Sequence, residues 1–141
     1  MNKQLRTEII ALCDYALVSN DNKLSIMGIF DELRSENFPV GFLDKYLVAT
    51  INGDPDTEYK LTVELEKDNN RKNLLRPIIV NATTSPNGKN NLIIRLTNVG
   101  FKDDGNYFFK IYNGNTEIGS TRLKVIDIKK NEKEMLKFSV N

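Results

Sequence analysis

Residues 1–126 are predicted to fold as one all-β domain, an antiparallel sandwich of about seven to eight strands, with a short charged tail over 127–141. Two observations lead there. Apolar and polar residues alternate with a period of two, as in Tyr59, Leu61, Val63 and Leu65 against Lys60, Thr62, Glu64 and Glu66, the pattern of a strand with one buried and one wet face. Clusters of Gly, Pro, Asn and Asp then interrupt the alternation at short, regular intervals, the spacing of a sandwich or barrel. The 141 residues suit one domain, which at this size buries a core without disulfide or metal staples.

The strands follow in order. The first is expected over 9–18 and the second over 23–33, with Asn20-Asp21-Asn22 turning between them. A third, over 45–52, meets the turn Gly53-Asp54-Pro55-Asp56 and leads into the fourth over 58–66. The fifth is expected over 74–82, then Ser85-Pro86-Asn87-Gly88 turns the chain into the sixth over 90–97, where Leu92, Ile94 and Leu96 alternate with Arg95 and Thr97. In the seventh, over 106–113, Tyr107, Phe109 and Ile111 share one parity and Phe108, Lys110 and Tyr112 the other. Asn113-Gly114 reads as a type I′ hairpin turn because both residues tolerate positive φ. The eighth, over 116–125, changes phase between Ile118 and Thr121, so a bulge is expected at Gly119. Residues 127–141 end in Met135, Leu136, Phe138 and Val140, and read as a loose terminus or as a docking segment for a partner.

The stretch Asp103-Asp104-Gly105-Asn106-Tyr107 matches the Asp-x-Gly-x-Tyr pattern of the tyrosine corner in immunoglobulin-like sandwiches. There the glycine permits a tight corner and the tyrosine hydroxyl bonds back to upstream backbone. Phe109 stands where antibody domains carry a cysteine, and the chain has no tryptophan, so the likeness is to the architecture and not to antibody domains. The first hairpin adds a second likeness. Ala11-Leu12-Cys13-Asp14-Tyr15-Ala16, followed by Lys23-Leu24-Ser25-Ile26-Met27-Gly28-Ile29-Phe30-Asp31, resembles the opening of a family of small bacterial domains of unknown function. The resemblance covers about residues 10–125. It implies an immunoglobulin-like fold and no established activity.

Composition excludes several functions. The chain carries 20 Lys and Arg against 19 Asp and Glu, a net charge of +1, so it lacks the concentrated positive field of a nucleic-acid or membrane-surface protein. The basic residues Arg71, Lys72 and Arg76, and Lys129, Lys130, Lys133 and Lys137 in the tail, read as solvated surface. There is no histidine, which removes Ser-His-Asp and Cys-His catalysis and histidine-ligated metals. Cys13 is the only cysteine and lies among apolar residues of its own parity, so it is expected as an inert core thiol in a reducing, cytoplasmic setting. No leader and no membrane span is expected from the sequence.

Three candidate sites remain. Asp54, Asp56 and Glu58 alternate beside a sandwich-end turn and offer oxygen ligands to calcium, or a sugar site, against the plainer reading of a solvated turn. Glu64 and Glu66 look solvated, and no enzyme or cofactor is expected. The third site is an aromatic patch: Phe108 and Tyr112 face outward on one strand, and Tyr46 and Val48 are expected beside them if Leu47, Ala49 and Ile51 face in. The alternative is that the tail or residues 34–44, where Phe38, Phe42 and Leu43 need a place to pack, cover this face. As an interface, the patch, or an open sheet edge, points to a non-enzymatic interaction module with a protein partner or a second copy. Asp103, Gly105 and Tyr107 are expected as structural corner residues. A phage or mobile-element accessory role is an alternative.

Overall fold

The structure, a computed structural model, describes residues 4–68 and 70–139. Among these residues it contains nine strands and one helix: β1 (Arg6–Val18), β2 (Leu24–Phe30), β3 (Glu32–Ser35), β4 (Val40–Asn52), β5 (Glu58–Lys67), β6 (Ile78–Thr83), β7 (Lys89–Phe101), β8 (Gly105–Asn113), β9 (Thr116–Asp127) and α1 (Ile128–Ser139). They form a four-stranded sheet, β2-β1-β4-β7, and a five-stranded sheet, β3-β9-β8-β5-β6. The expected all-β sandwich is therefore the fold.

The core fills the space between the sheets. Leu12, Leu47, Ala49, Ile51 and Leu96 come from the first sheet, and Leu61, Leu65, Phe109, Ile111 and Leu123 from the second, all buried. The period-two alternation of β5, β7 and β8 produces this layer, because every second side chain points between the sheets. Phe109 stacks on Phe42 at 6.5 Å between ring centroids, which joins the two sheets through the core.

Five expectations change. The stretch 23–33 is two strands: β2 pairs with β1, and past Asp31 the chain crosses to the other sheet, where β3 runs parallel to β9. The sandwich is thus not wholly antiparallel. The Lys124 amide donates to the Asp31 carbonyl at 2.9 Å and holds the crossing. The β8–β9 turn is Gly114-Asn115, since Asn113 pairs directly with Thr116. Only Gly114 has positive φ (62°), as a type II′ turn requires, so the glycine and not the Asn-Gly pair sets the hairpin. The extra residue of the β9 bulge is Ile118. Its neighbour Gly119 packs against Thr7, whose Oγ1 would lie 2.2 Å from an added Cβ. Finally, residues 128–139 of the tail are helical. Val140 lies outside the described residues. The fifth strand starts at Ile78 rather than 74, after Pro77, whose missing N–H suits a strand's first position.

Candidate functional site

The structure separates the four residues of the expected aromatic patch. Phe108 and Tyr112 lie on β8 in the five-stranded sheet, and Tyr46 and Val48 on β4 in the four-stranded sheet. Strands adjacent in a sequence argument are here in opposite layers. Val48 is also wholly buried, in a second apolar cluster with Cys13 and Ala16 on which Tyr46, Leu24, Ile26 and Ile93 pack. Sequence parity put Val48 on the outer face without showing that this face has a packed layer of its own.

Tyr112 does point away from the core, but it is covered. Its hydroxyl donates to Glu66 Oε2 at 2.6 Å, and the Arg71 guanidinium lies 4.0 Å above its ring. Glu66 is 2% exposed and also meets Lys110 Nζ at 3.3 Å, which in turn pairs with Glu117 at 2.8 Å. Phe108 is half-buried beside the same ammonium. Burial, then the hydrogen bond to Glu66, pushes the Tyr112 phenol up to about 12. The bond to Glu117 raises Lys110. This face is closed by a bonded charge network in place of a greasy patch, and the supposedly solvated Glu66 is its centre.

The acidic turn is pinned by its backbone. The Asp54 amide donates to the Tyr59 hydroxyl at 2.9 Å, and the Thr57 amide to Thr84 Oγ1 at 2.9 Å. Asp56 takes a positive φ of 48°, which Asp tolerates. Asp54, Asp56 and Glu58 do not gather: among the described residues no group of three or more His, Cys, Asp or Glu is placed to hold a metal ion. At the corner, the Tyr107 hydroxyl is 2.8 Å from the Asp103 carbonyl oxygen and 2.9 Å from Asp103 Oδ1. Lys67 bonds the same carboxylate at 2.8 Å and, with Tyr107, holds it below the usual range. Gly105 has a φ of 143°, and a Cβ there would fall 2.7 Å from Lys67 Cε.

The exposed apolar surface is elsewhere, on the first hairpin. Pairing of β1 with β4 stops at Cys13 and Tyr46, whereas β1 and β2 stay paired out to Val18 and Leu24, so the hairpin's end parts from β4, which runs on to Val40 paired with β7. The hairpin's base is tied by Lys45 to Asp14 at 2.6 Å. Tyr15 pairs with Met27, and Leu17 follows two residues on, so these three share a face. They are 48%, 52% and 40% exposed, and Ile29 on the same strand is 65% exposed. The Tyr15 ring meets Tyr46 edge-on at 6.0 Å, which joins one predicted interface residue to this surface.

β2 is also a sheet edge. Its seven residues, Leu-Ser-Ile-Met-Gly-Ile-Phe, contain no charge and no proline, the devices that normally protect an edge. Two other edges carry them, Glu32 and Arg34 on four-residue β3 and Lys89 and Arg95 on β7, whereas the fourth edge, β6, is also uncharged but shorter, at six residues, and has Arg76-Pro77 just before it. The charge-free run was visible in the sequence, but its place at an edge was not. Cys13 is buried beneath the hairpin, and burial, then the Asp14 charge, raises its thiol.

Fold and surface define a class: a small two-sheet β-sandwich with an unguarded apolar edge. No helix among the described residues is long and apolar enough to cross a membrane. The chain belongs to the DUF6941 family, a family of unknown function, whose model matches residues 8–126. No curated protein matches it. Among solved structures it is similar to the β-glucosidase of Listeria innocua in complex with isofagomine, at 10% identity and a TM-score of 0.49, over 86% of this chain and 16% of that one. The same enzyme with glucose matches at 11% identity and a TM-score of 0.47, with the same coverage. The chain thus spans 16% of the enzyme's length.

Proposed function

We propose that this protein is a non-catalytic, cytoplasmic interaction domain of immunoglobulin-like topology that self-associates through the open edge of β2. The observation that carries the reading is that edge: seven uncharged residues, with Met27 and Ile29 exposed among them and Tyr15 and Leu17 exposed on the neighbouring β1. A twofold pairing of β2 with β2 sets like residues near like, so a charged edge would repel itself and this one does not. Apolar burial supplies the attraction and the free edge amides supply register. The strand order supports the topology: β9-β8-β5 and β4-β7 are arranged as the G-F-C and B-E strands of that fold. The buried lone thiol suits a reducing compartment.

Light scattering tests the association. The wild-type chain is expected to reach twice the monomer mass with rising concentration. Met27→Lys and Ile29→Lys, both at exposed positions, should stay monomeric with unchanged melting. A wild-type chain that is monomeric at about millimolar concentration, the range where even a weak interface with a Kd near 1 mM is populated, overturns the reading.

A further inference from the structure

A second surface lies on the opposite edge of the same sheet. Among the described residues β7 pairs only with β4, so its far side offers free backbone groups. Two adjoining hollows of about 420 Å³ each run along that side, between β7 and the 70–78 segment, and both include Leu74 and Gly100. Buried Leu96, Val99 and Phe101 line them from below, and Leu74 is 47% exposed at their junction. The rim is cationic. Lys67, Lys72, Lys102, Arg76 and Arg95 line the two hollows, and Asp103 is the one acid that does. Asp103 neutralises Lys67, and Asp44 neutralises Arg95. Lys72, Arg76 and Lys102 form no ion pair among the described residues. In a chain of net charge +1, this is a local excess of positive charge, offset at Lys102 only by the nearby Asp103 carboxylate that Lys67 already bonds.

Gly100 gives an independent sign. A Cβ built there meets nothing within 4 Å, and its φ is not in the left-handed region. Glycine weakens a strand, and neither strain nor crowding within this chain asks for it here. Its partner Gly41 is different, since a Cβ there would fall 2.0 Å from the Val99 carbonyl oxygen. A glycine without internal cause on an open edge leaves room for another backbone to come close.

We infer that the β7 edge between Arg95 and Phe101 binds an extended acidic segment of a partner protein, added as a strand, with its acidic side chains on Lys72, Arg76 and Lys102 and an apolar side chain against Leu74. Strand addition takes affinity from main-chain hydrogen bonds and specificity from alternating side-chain pockets. The charge selects acidic over basic sequences. This surface is separate from the β2 edge, and either stands if the other fails.

The probe is a peptide of alternating Glu and Val, about eight residues and roughly 27 Å long when extended. It is titrated into the isotopically labelled full chain at low salt, with amide NMR shifts as readout. Shifts are expected at residues 95–101 and 72–76, weakening with salt, and none with the matching Lys-Val peptide. Gly100→Val should fold as wild type and lose affinity by about tenfold or more, because its side chain fills the approach path. If Gly100→Val does not fold, Lys72→Glu with Lys102→Glu, both at surface positions, serves the same end. The inference fails if millimolar Glu-Val peptide shifts nothing, if shifts fall on other strands, or if a folded variant binds as tightly as wild type. It also fails if inorganic phosphate alone gives the same shifts, which would make this a simple anion site.

Discussion

Replacing Tyr112 by Phe removes one oxygen atom and leaves the ring under Arg71. That oxygen is the donor to Glu66, which is 2% exposed and has Lys110 Nζ at 3.3 Å as its other charged partner. A hydrogen bond to an ionised group contributes about 1.5–3 kcal/mol, and losing it leaves a buried carboxylate short of one partner. Lys110 remains, so the loss should be about 2 kcal/mol. For a domain of this size that lowers Tm by roughly 5–10 °C. Urea titrations of both proteins, monitored by circular dichroism, give the difference directly. The pH dependence is a second readout. The folded phenol titrates near 12, above its ordinary value of 10, so its stabilisation is complete below about 10 and is lost as pH rises through 12. The gap between the two proteins should therefore hold constant up to pH about 10 and narrow above it. A difference below about 0.5 kcal/mol at neutral pH would mean that Glu66 needs no phenol, and the network would lose its central bond.

Other outcomes follow from the same packing. Gly28 has a φ of 70°, and a Cβ would fall 2.4 Å from Asp14 Oδ2, so Gly28→Ala should cost about 1–2 kcal/mol in a urea melt. Stability equal to wild type would show that the hairpin does not depend on that left-handed residue. The Cys13 thiol, fully buried and with its pKa raised, should resist maleimide in the native protein and react at once in urea. Rapid native labelling would contradict its burial between β1 and the residues packed on it. Phe109→Ala should cost about 3–5 kcal/mol, since Phe109 is fully buried between the sheets, and a loss under 1 kcal/mol would place it outside the core.

Much of the fold was legible because strand alternation is local. The side chains that alternate along β5, β7 and β8 face alternate sides whatever the rest of the chain does, and they did form the core. Turn chemistry was legible for the same reason, to within a residue: Gly114 was found, and only its position in the turn shifted. The break at Asp31 was not legible, because 24–30 and 32–35 both favour strand and nothing local says that they join different sheets. The helix at 128–139 was missed because half of its twelve residues are charged and most of its apolar residues gather at the C-terminal end, so the stretch read as a solvated tail.

The candidate site shows the limit more sharply. Parity put Tyr112 and Val48 on outer faces, and parity holds, yet outer did not mean exposed. Arg71 and Glu66 cover Tyr112, and a second apolar layer covers Val48. Tyr15, Leu17, Met27 and Ile29 looked like ordinary strand residues, and they are exposed on a hairpin whose end parts from β4 beyond Cys13 and Tyr46. Period and turn propensity are local, so they were enough to place the chain as a β-sandwich, to locate most of its strands and to pick out the alternating part of its core. Which strands neighbour one another, which edges stay open and which outward side chains water reaches depend on contacts far apart in the chain, so they emerge only once the sheets are packed, and they are what place its surfaces for binding.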